Sequence, residues 1–114
     1  MPERLSDLDP DVHTMLRDLM QDEYGLLLQT FLQDTDRRLC QLHESLDRHN
    51  WEGFRQAAHS FKGSCGNMGA LALLQACQQA EEAAANADSI TAANVCDLID
   101  RLCLRIRPQL TCHH

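Results

Sequence analysis

Residues 58–70 read AHSFKGSCGNMGA, and the apolar side chains in and just before this stretch have helical spacing. They recur at steps of four, three, four and three residues: Phe54, Ala58, Phe61, Cys65 and Met68. This spacing places them on one face of an α-helix. Asn50 is a good N-cap for the helix, and Gly69 is a natural stop. The stretch therefore predicts one amphipathic helix with a single buried stripe.

His59 lies on the opposite side of this predicted helix. At about 100° per residue it points roughly 140° away from the centre of the stripe, so it should face solvent. The residues that share its sector are Arg55, Lys62, Gly63 and Gly66, with Gln56 close by. Two glycines within one turn each cost on the order of 1 kcal/mol relative to alanine, so something must come close to the helix there.

An exposed imidazole beside two cations in an acidic chain indicates a site that handles an anion. A metal site needs further ligands, and none lies three or four residues after His59. Acid–base hydrolysis needs a pocket that excludes water, which a convex helix face does not offer. A nucleophilic imidazole that carries a group temporarily needs only exposure, a nearby cation and access for a partner. Phosphoryl is the group that suits Lys62 and an open face.

The rest of the chain also has helical periodicity. We predict a short first helix capped by Asp9, a second from about Asp22 to His49, and a fourth from about Ala70 to Ala85. A fifth is capped by Asp88 or Ser89, and Pro108 kinks or ends it. The predicted fold is all-α, an antiparallel (up-down) four-helix bundle with a short N-terminal cap helix. Residues 1–114 should form one domain.

Two predicted faces can be checked against the structure. In the first helix the apolar side consists of Val12, Met15, Leu16 and Leu19. In the second helix, the charged residues that lie off the apolar stripe are most simply a solvated face: Asp34, Asp36, Arg37 and Arg38.

Composition narrows the class of protein. The formal net charge of −7 argues against general nucleic-acid binding. No apolar run approaches the roughly 18 residues of a membrane span, and the N-terminus does not resemble a signal peptide. We therefore expect a cytoplasmic protein without nucleic-acid or membrane partners.

Six cysteines are present, and none forms a CxxC pair. Cys65, Cys77, Cys96 and Cys103 fall on or near apolar stripes and are expected to be small buried hydrophobes rather than zinc ligands. The chain ends in Cys112-His113-His114, which could bind stray metal. We expect that the protein needs no metal site for its function.

The segment AHSFKGSCGNMGA resembles the histidine phosphotransfer (HPt) signature, whose centre reads H-x-[aromatic or aliphatic]-K-G-[small] with a glycine several residues on. The matching positions are His59, Phe61, Lys62, Gly63, Ser64 and Gly69, with Met68 at the apolar position before the last glycine. The stretch DEYGLLLQTFLQDTDRRLCQL also resembles the second helix of small free-standing bacterial HPt proteins, and so does the RIRPQL ending.

The resemblance implies a role for each site residue. His59 would take a phosphoryl group from a phospho-aspartate on the receiver domain of a hybrid histidine kinase and return it to an aspartate of a response regulator. Lys62 would offset charge on the phosphoryl oxygens, and Gly63, with Arg55, Gln56 and Gly66, would let the receiver approach.

The resemblance also implies which features the protein does not need. The magnesium ion would sit in the receiver, and no cofactor, autokinase activity or oligomer would be needed. Some family members orient the histidine with a glutamine on the fourth helix. Counting from His59, that position falls at Glu81, which leaves the role unassigned, with Gln78 one turn earlier as a candidate. Leu16, Leu19 and Met20 either help to dock the receiver or only cap the bundle.

Two other classes of protein remain open on the sequence. A histidine-kinase dimerisation domain also displays a phosphorylated histidine, but an acidic residue usually follows it, whereas Ser60 follows here. A structural or cofactor-holding helical bundle would explain the core and the cysteines, but it gives no reason for Lys62, Gly63 and Gly66.

Overall fold

A computed structural model of the chain describes residues 7–20 and 23–111. These residues contain five α-helices: α1 (Pro10–Met20), α2 (Tyr24–Asp47), α3 (Trp51–Met68), α4 (Leu71–Ala85) and α5 (Ser89–Thr111). The all-helical fold is confirmed. The predicted start of the second helix, Asp22, lies outside the described residues, as does the C-terminal Cys112-His113-His114.

Three helices begin at side-chain caps that the sequence predicts. The carboxylate of Asp9 accepts a hydrogen bond from the backbone nitrogen of Asp11 at 3.0 Å. Asn50 Oδ1 accepts one from the backbone nitrogen of Gly53 at 3.0 Å, and Asp88 Oδ1 accepts one from Thr91 at 3.1 Å. Each cap satisfies a backbone donor that has no partner within its helix.

The four long helices enclose one apolar core. Helix α3 packs against α2 and α4, α4 packs against α5, and α5 closes back onto α2. The largest fully buried side chains are Phe54, Phe61, Leu42, Met68, Leu73, Ile99, Ile106 and Leu110. All five apolar residues of the predicted α3 stripe are buried, so the face of α3 that carries His59 points away from the core.

The turn between α3 and α4 also holds the N-terminal segment. Gly69 adopts φ 69°, a left-handed conformation that favours glycine. Its carbonyl accepts a hydrogen bond from the backbone nitrogen of Asp9 at 2.7 Å. A Cβ at Gly69 would lie 2.9 Å from Val12 Cβ. The start of α1 is therefore packed directly on this turn.

Helix α1 buries only part of the apolar side that was predicted, since Val12 and Leu16 are partly buried. Met15 and Leu19 are exposed by 51% and 75%, so their assignment to the apolar side was wrong. His13 is buried instead, and its Nε2 is hydrogen-bonded to the Tyr24 hydroxyl. A polar pair at the α1–α2 junction takes the place of a continuous apolar stripe, and α1 has an exposed apolar surface.

Four cysteines are buried in the core, as predicted: Cys65, Cys77, Cys96 and Cys103. A hydrogen bond with Cys77, together with burial, raises the pKa of the Cys65 thiol far above its usual value. Burial also raises the pKa of Cys96 to about 11 and that of Cys103 to about 12. The thiols of Cys65, Cys96 and Cys103 therefore stay protonated at neutral pH. All four buried cysteines serve as small apolar side chains in the core.

Helix α5 continues through Pro108 to Thr111, so of the two predicted alternatives, a kink or an end at Pro108, the end is wrong. Proline keeps a helical φ, but it removes one backbone donor and its ring crowds the carbonyl four residues earlier. Pro108 lies in the last turn of α5, so only a few helical residues follow it. No helix in the described part of the chain is both long enough and apolar enough to cross a membrane.

Replacing Gly69 with Ala should destabilise the fold by about 1–3 kcal/mol, because the new Cβ would sit at a left-handed φ and against Val12. Urea unfolding followed by circular dichroism measures this. Gly25→Ala is the matched control: nothing lies within 4 Å of a Cβ there, and this helical position should gain stability slightly. Equal stability of the two variants would contradict the role of Gly69.

Candidate functional site

His59 stands on the exposed ridge of α3. Phe61, two residues later, is fully buried, and two residues correspond to about 200° around a helix. The imidazole is therefore turned to the opposite side, and 64% of its side chain is exposed. The predicted orientation of His59 is confirmed.

Glu81 of α4 contacts both His59 and Lys62. Its Oε2 lies 3.1 Å from His59 Nδ1, and its Oε1 lies 2.6 Å from Lys62 Nζ. The Glu81 side chain is only 19% exposed and the Lys62 side chain 30%. One carboxylate of α4 thus contacts two side chains of α3, the imidazole of His59 and the ammonium of Lys62.

The charge of Glu81 decides which nitrogen of His59 is free. Burial acts to raise the pKa of Glu81, but hydrogen bonds and charges from Lys62 and His59 outweigh it, and the pKa is lowered. Glu81 is therefore ionised at neutral pH and can only accept. It follows that His59 Nδ1–H donates the hydrogen bond to Glu81. In the neutral imidazole the lone pair is then on Nε2, which can act as a nucleophile.

Arg55 and Gln56 are held by a second carboxylate one turn earlier. Arg55 Nη2 lies 2.6 Å from Glu52 Oε1, and Gln56 Nε2 donates to the same oxygen at 3.0 Å. The predicted basic patch around His59 is thus not an excess of positive charge. Each cation, Arg55 and Lys62, is paired with a glutamate.

The two predicted docking glycines have different surroundings. A Cβ at Gly63 would meet nothing within 4 Å, so the ridge beside His59 is open. A Cβ at Gly66 would lie 3.4 Å from Leu74 Cδ1. Gly66 is exposed, and a Cβ there would only make an ordinary van der Waals contact with α4.

Sequence reasoning reached the position of Glu81 without assigning it a function. A carboxylate differs from the glutamine expected there, so the sequence leaves the orienting role unassigned, with Gln78 as a candidate. In the structure the side chain that faces His59 is Glu81, while Gln78 is exposed one turn earlier on α4. The missed signal was chemical, because a glutamate can accept from Nδ1 as well as a glutamine can.

The other flank of α3 holds a polar cluster against α2. Ser64 Oγ donates a hydrogen bond to Asp34 Oδ2 at 3.1 Å. Asp34 Oδ1 lies 3.3 Å from Arg37 Nη2 and 3.5 Å from Arg38 Nε. The Asp34 and Arg38 side chains are only 17% and 25% exposed, so their assignment to a solvated face was wrong. These residues line a groove of about 280 Å³ between α2 and α3.

Comparisons with known proteins agree with this geometry. A family model described as the Hpt domain matches residues 26–108. The crystal structure of histidine-containing phosphotransfer protein B (HptB) from Pseudomonas aeruginosa PAO1 is similar, with 34% sequence identity and a TM-score of 0.89. The match covers 94% of this chain and 93% of that chain. A search of curated proteins found no match.

Replacing Glu81 with Gln should lower the free energy of unfolding at pH 7 by a few tenths to about 1 kcal/mol, because Lys62 and His59 lose a charged partner. The pKa of Glu81 is lowered on folding. Its contribution is therefore complete above the unfolded value of about 4.3 and is lost as the pH falls through the lower folded value.

Urea unfolding across pH 3–7 measures the difference between wild type and E81Q. The difference should shrink towards zero below about pH 4. A difference that stays constant down to pH 3 would show that Glu81 stabilises the fold by packing rather than by charge.

Proposed function

The chain belongs to the Hpt domain family, and from this premise we propose that His59 is the residue that carries the phosphoryl group. Proteins of this family are phosphocarriers in phosphorelays, where they work with receiver domains. Histidine phosphotransfer in a phosphorelay is accordingly the function of this chain. The observation that carries the assignment of His59 is its Nδ1 contact with Glu81, which leaves Nε2 free on an exposed ridge.

The proposed transfer step uses the free Nε2 of His59. Nε2 of His59 attacks the phosphorus of a phospho-aspartate on the receiver domain of a hybrid histidine kinase. The N–P bond forms as the P–O bond of the acyl phosphate breaks, and the aspartate carboxylate leaves with the electron pair. Transfer to a response-regulator aspartate is the reverse step with a second receiver. Nδ1 keeps its proton throughout because Glu81 accepts it as a hydrogen bond.

Two residues support His59 in this proposal. Lys62, one turn along α3, offsets negative charge on the phosphoryl oxygens. Glu81 is a positioning residue that fixes the ring and its tautomer through Nδ1. Its distance of 3.1 Å and its partial burial support this role better than the exposed Gln78 supports its own.

The surface around His59 suits a large partner. Gly63 leaves the ridge open, and Arg55, Gln56 and Gly66 flank it on α3. We propose that a receiver domain docks here, supplies its own magnesium ion and meets a monomer of this chain. The exposed Leu19 and the partly buried Leu16 of α1 extend the dock; the Met20 side chain lies outside the described residues.

The finer features of the fold belong to the same proposal. The connections between the long helices are short, which favours antiparallel neighbours. Helices α2–α5 would then form an up-down four-helix bundle, with α1 as a cap over the α3–α4 turn. Residues 1–114 would be one domain.

The proposed carrier has no autokinase activity and needs no cofactor, because every step uses a phosphoryl group that a receiver already holds. A cytoplasmic location remains a prediction from the sequence. Within the described residues, no group of three histidine, cysteine or acidic side chains is placed to hold a metal ion. A purely structural bundle is not favoured, because the chain belongs to the Hpt domain family and because such a bundle gives no reason for an exposed histidine beside the open ridge at Gly63.

Replacing His59 with Gln should abolish phosphoryl transfer, because the glutamine amide has no nucleophilic nitrogen. The purified chain is mixed with a receiver domain carrying labelled phospho-aspartate, and the label on the chain is counted. His43→Gln is the control and should transfer normally. Label that reaches H59Q, or label taken from ATP alone without any receiver, would contradict the proposal.

Replacing Gly63 with Gln should leave the bundle folded and slow transfer by at least about tenfold, because a side chain on the open ridge displaces the receiver from its reacting position. Transfer reactions quenched at successive times measure the rate, and circular dichroism checks the helicity. Gly25→Gln places the same side chain in open space on α2 and should transfer at the normal rate. Equal rates in the two variants would contradict the docking role.

A further inference from the structure

Glu81 has two partners in the free protein, and only one of them can stay unchanged when His59 carries a phosphoryl group. Its Oε1 pairs with Lys62 Nζ at 2.6 Å, and its Oε2 lies 3.1 Å from His59 Nδ1. Lys62 thus neutralises the carboxylate while the imidazole is free. The pair lies at the edge of the ridge, where both side chains are partly shielded from water.

Phosphorylation at Nε2 changes this balance. A phosphoryl group adds about two negative charges and three strong acceptor oxygens within one helical turn of Lys62. An ammonium with these two choices favours the more highly charged acceptor. The contact between Glu81 and Nδ1 is on the other side of the ring and does not compete with the phosphoryl group.

On this basis, which rests on the proposed function, we propose that Lys62 exchanges Glu81 for the phosphoryl oxygens, and that the released Glu81 then holds the proton on Nδ1. The carboxylate is left with the ring as its partner. An unpaired carboxylate beside a protonated ring nitrogen stabilises that protonated form.

The proton on Nδ1 controls how easily the phosphoryl group is passed on. When a receiver carboxylate oxygen attacks phosphorus, the N–P bond breaks and its electron pair returns to Nε2. With Nδ1 protonated, the leaving group is a neutral imidazole. Without that proton it would be an imidazolate anion, a much poorer leaving group. Glu81 therefore widens the pH range over which the carrier can deliver its phosphoryl group.

The other charges near His59 do not provide this function. Arg55 on the same helix is held by Glu52. On the α2 side, Asp34 is paired with Arg38 and contacts α3 through Ser64, more than one turn beyond His59. Neither carboxylate has a described contact with the imidazole.

Glu81→Gln and Glu82→Gln remove the same charge from adjacent positions on α4, and Glu82 is exposed. Each chain is phosphorylated with phosphoramidate, a small-molecule donor, and the ³¹P chemical shift of phospho-His59 is followed against pH. The midpoint at which the ring loses its proton should fall by about one pH unit in E81Q. It should be unchanged in E82Q. The rate of delivery to a receiver should fall with the same midpoint.

Each result separates this proposal from the assignment of His59. Equal midpoints in wild type, E81Q and E82Q would overturn the exchange while leaving phosphotransfer intact. A phosphohistidine signal that persists in H59Q would instead overturn the proposed function.

Lys62→Met provides a second test that keeps Glu81 in place. In this variant Glu81 is unpaired in both forms, so the additional change Glu81→Gln should lower the midpoints of the free and the phosphorylated ring by similar amounts. With Lys62 present, Glu81→Gln should lower the midpoint of the phosphorylated ring more than that of the free ring. An equal fall in the two forms with Lys62 present would overturn the exchange.

Discussion

The burial of Phe61 of α3 in the core is the constraint on which the site depends. Because Phe61 and Phe54 are both fully buried, α3 cannot rotate without exposing two aromatic rings, and each ring contributes on the order of 2 kcal/mol by leaving water. The same rotation angle holds His59 outward and Lys62 at the border with α4. The direction of His59, the proposed nucleophile, is therefore fixed by packing two residues away.

Features that depend on one helix alone could be predicted from the sequence. Helical steps of three and four placed Phe54, Phe61 and Met68 inside and His59 outside, because that inference needs only the geometry of one helix. The caps at Asn50 and Asp88 were equally local. The motif around His59 also indicated the family, which the comparisons show.

Features that depend on two helices were harder to predict. The pairing of Glu81 with His59 and Lys62 depends on the rotation of α4 against α3, and the partial burial of Asp34 depends on α2. The burial of His13 rather than Met15 is set by the junction of α1 with Tyr24. In each case a tertiary neighbour, and not the periodicity of the helix itself, decided which polar side chain would be covered.

The convex position of His59 has a consequence for timing. A group held in a cleft can be shielded from hydrolysis, but a phosphoryl group on His59, as proposed, would be in contact with bulk water, because 64% of this side chain is exposed. In the phosphorylated protein, transfer to a receiver would then compete with hydrolysis by solvent. The fraction of phosphoryl groups that reaches a receiver would depend on how recently the protein was phosphorylated.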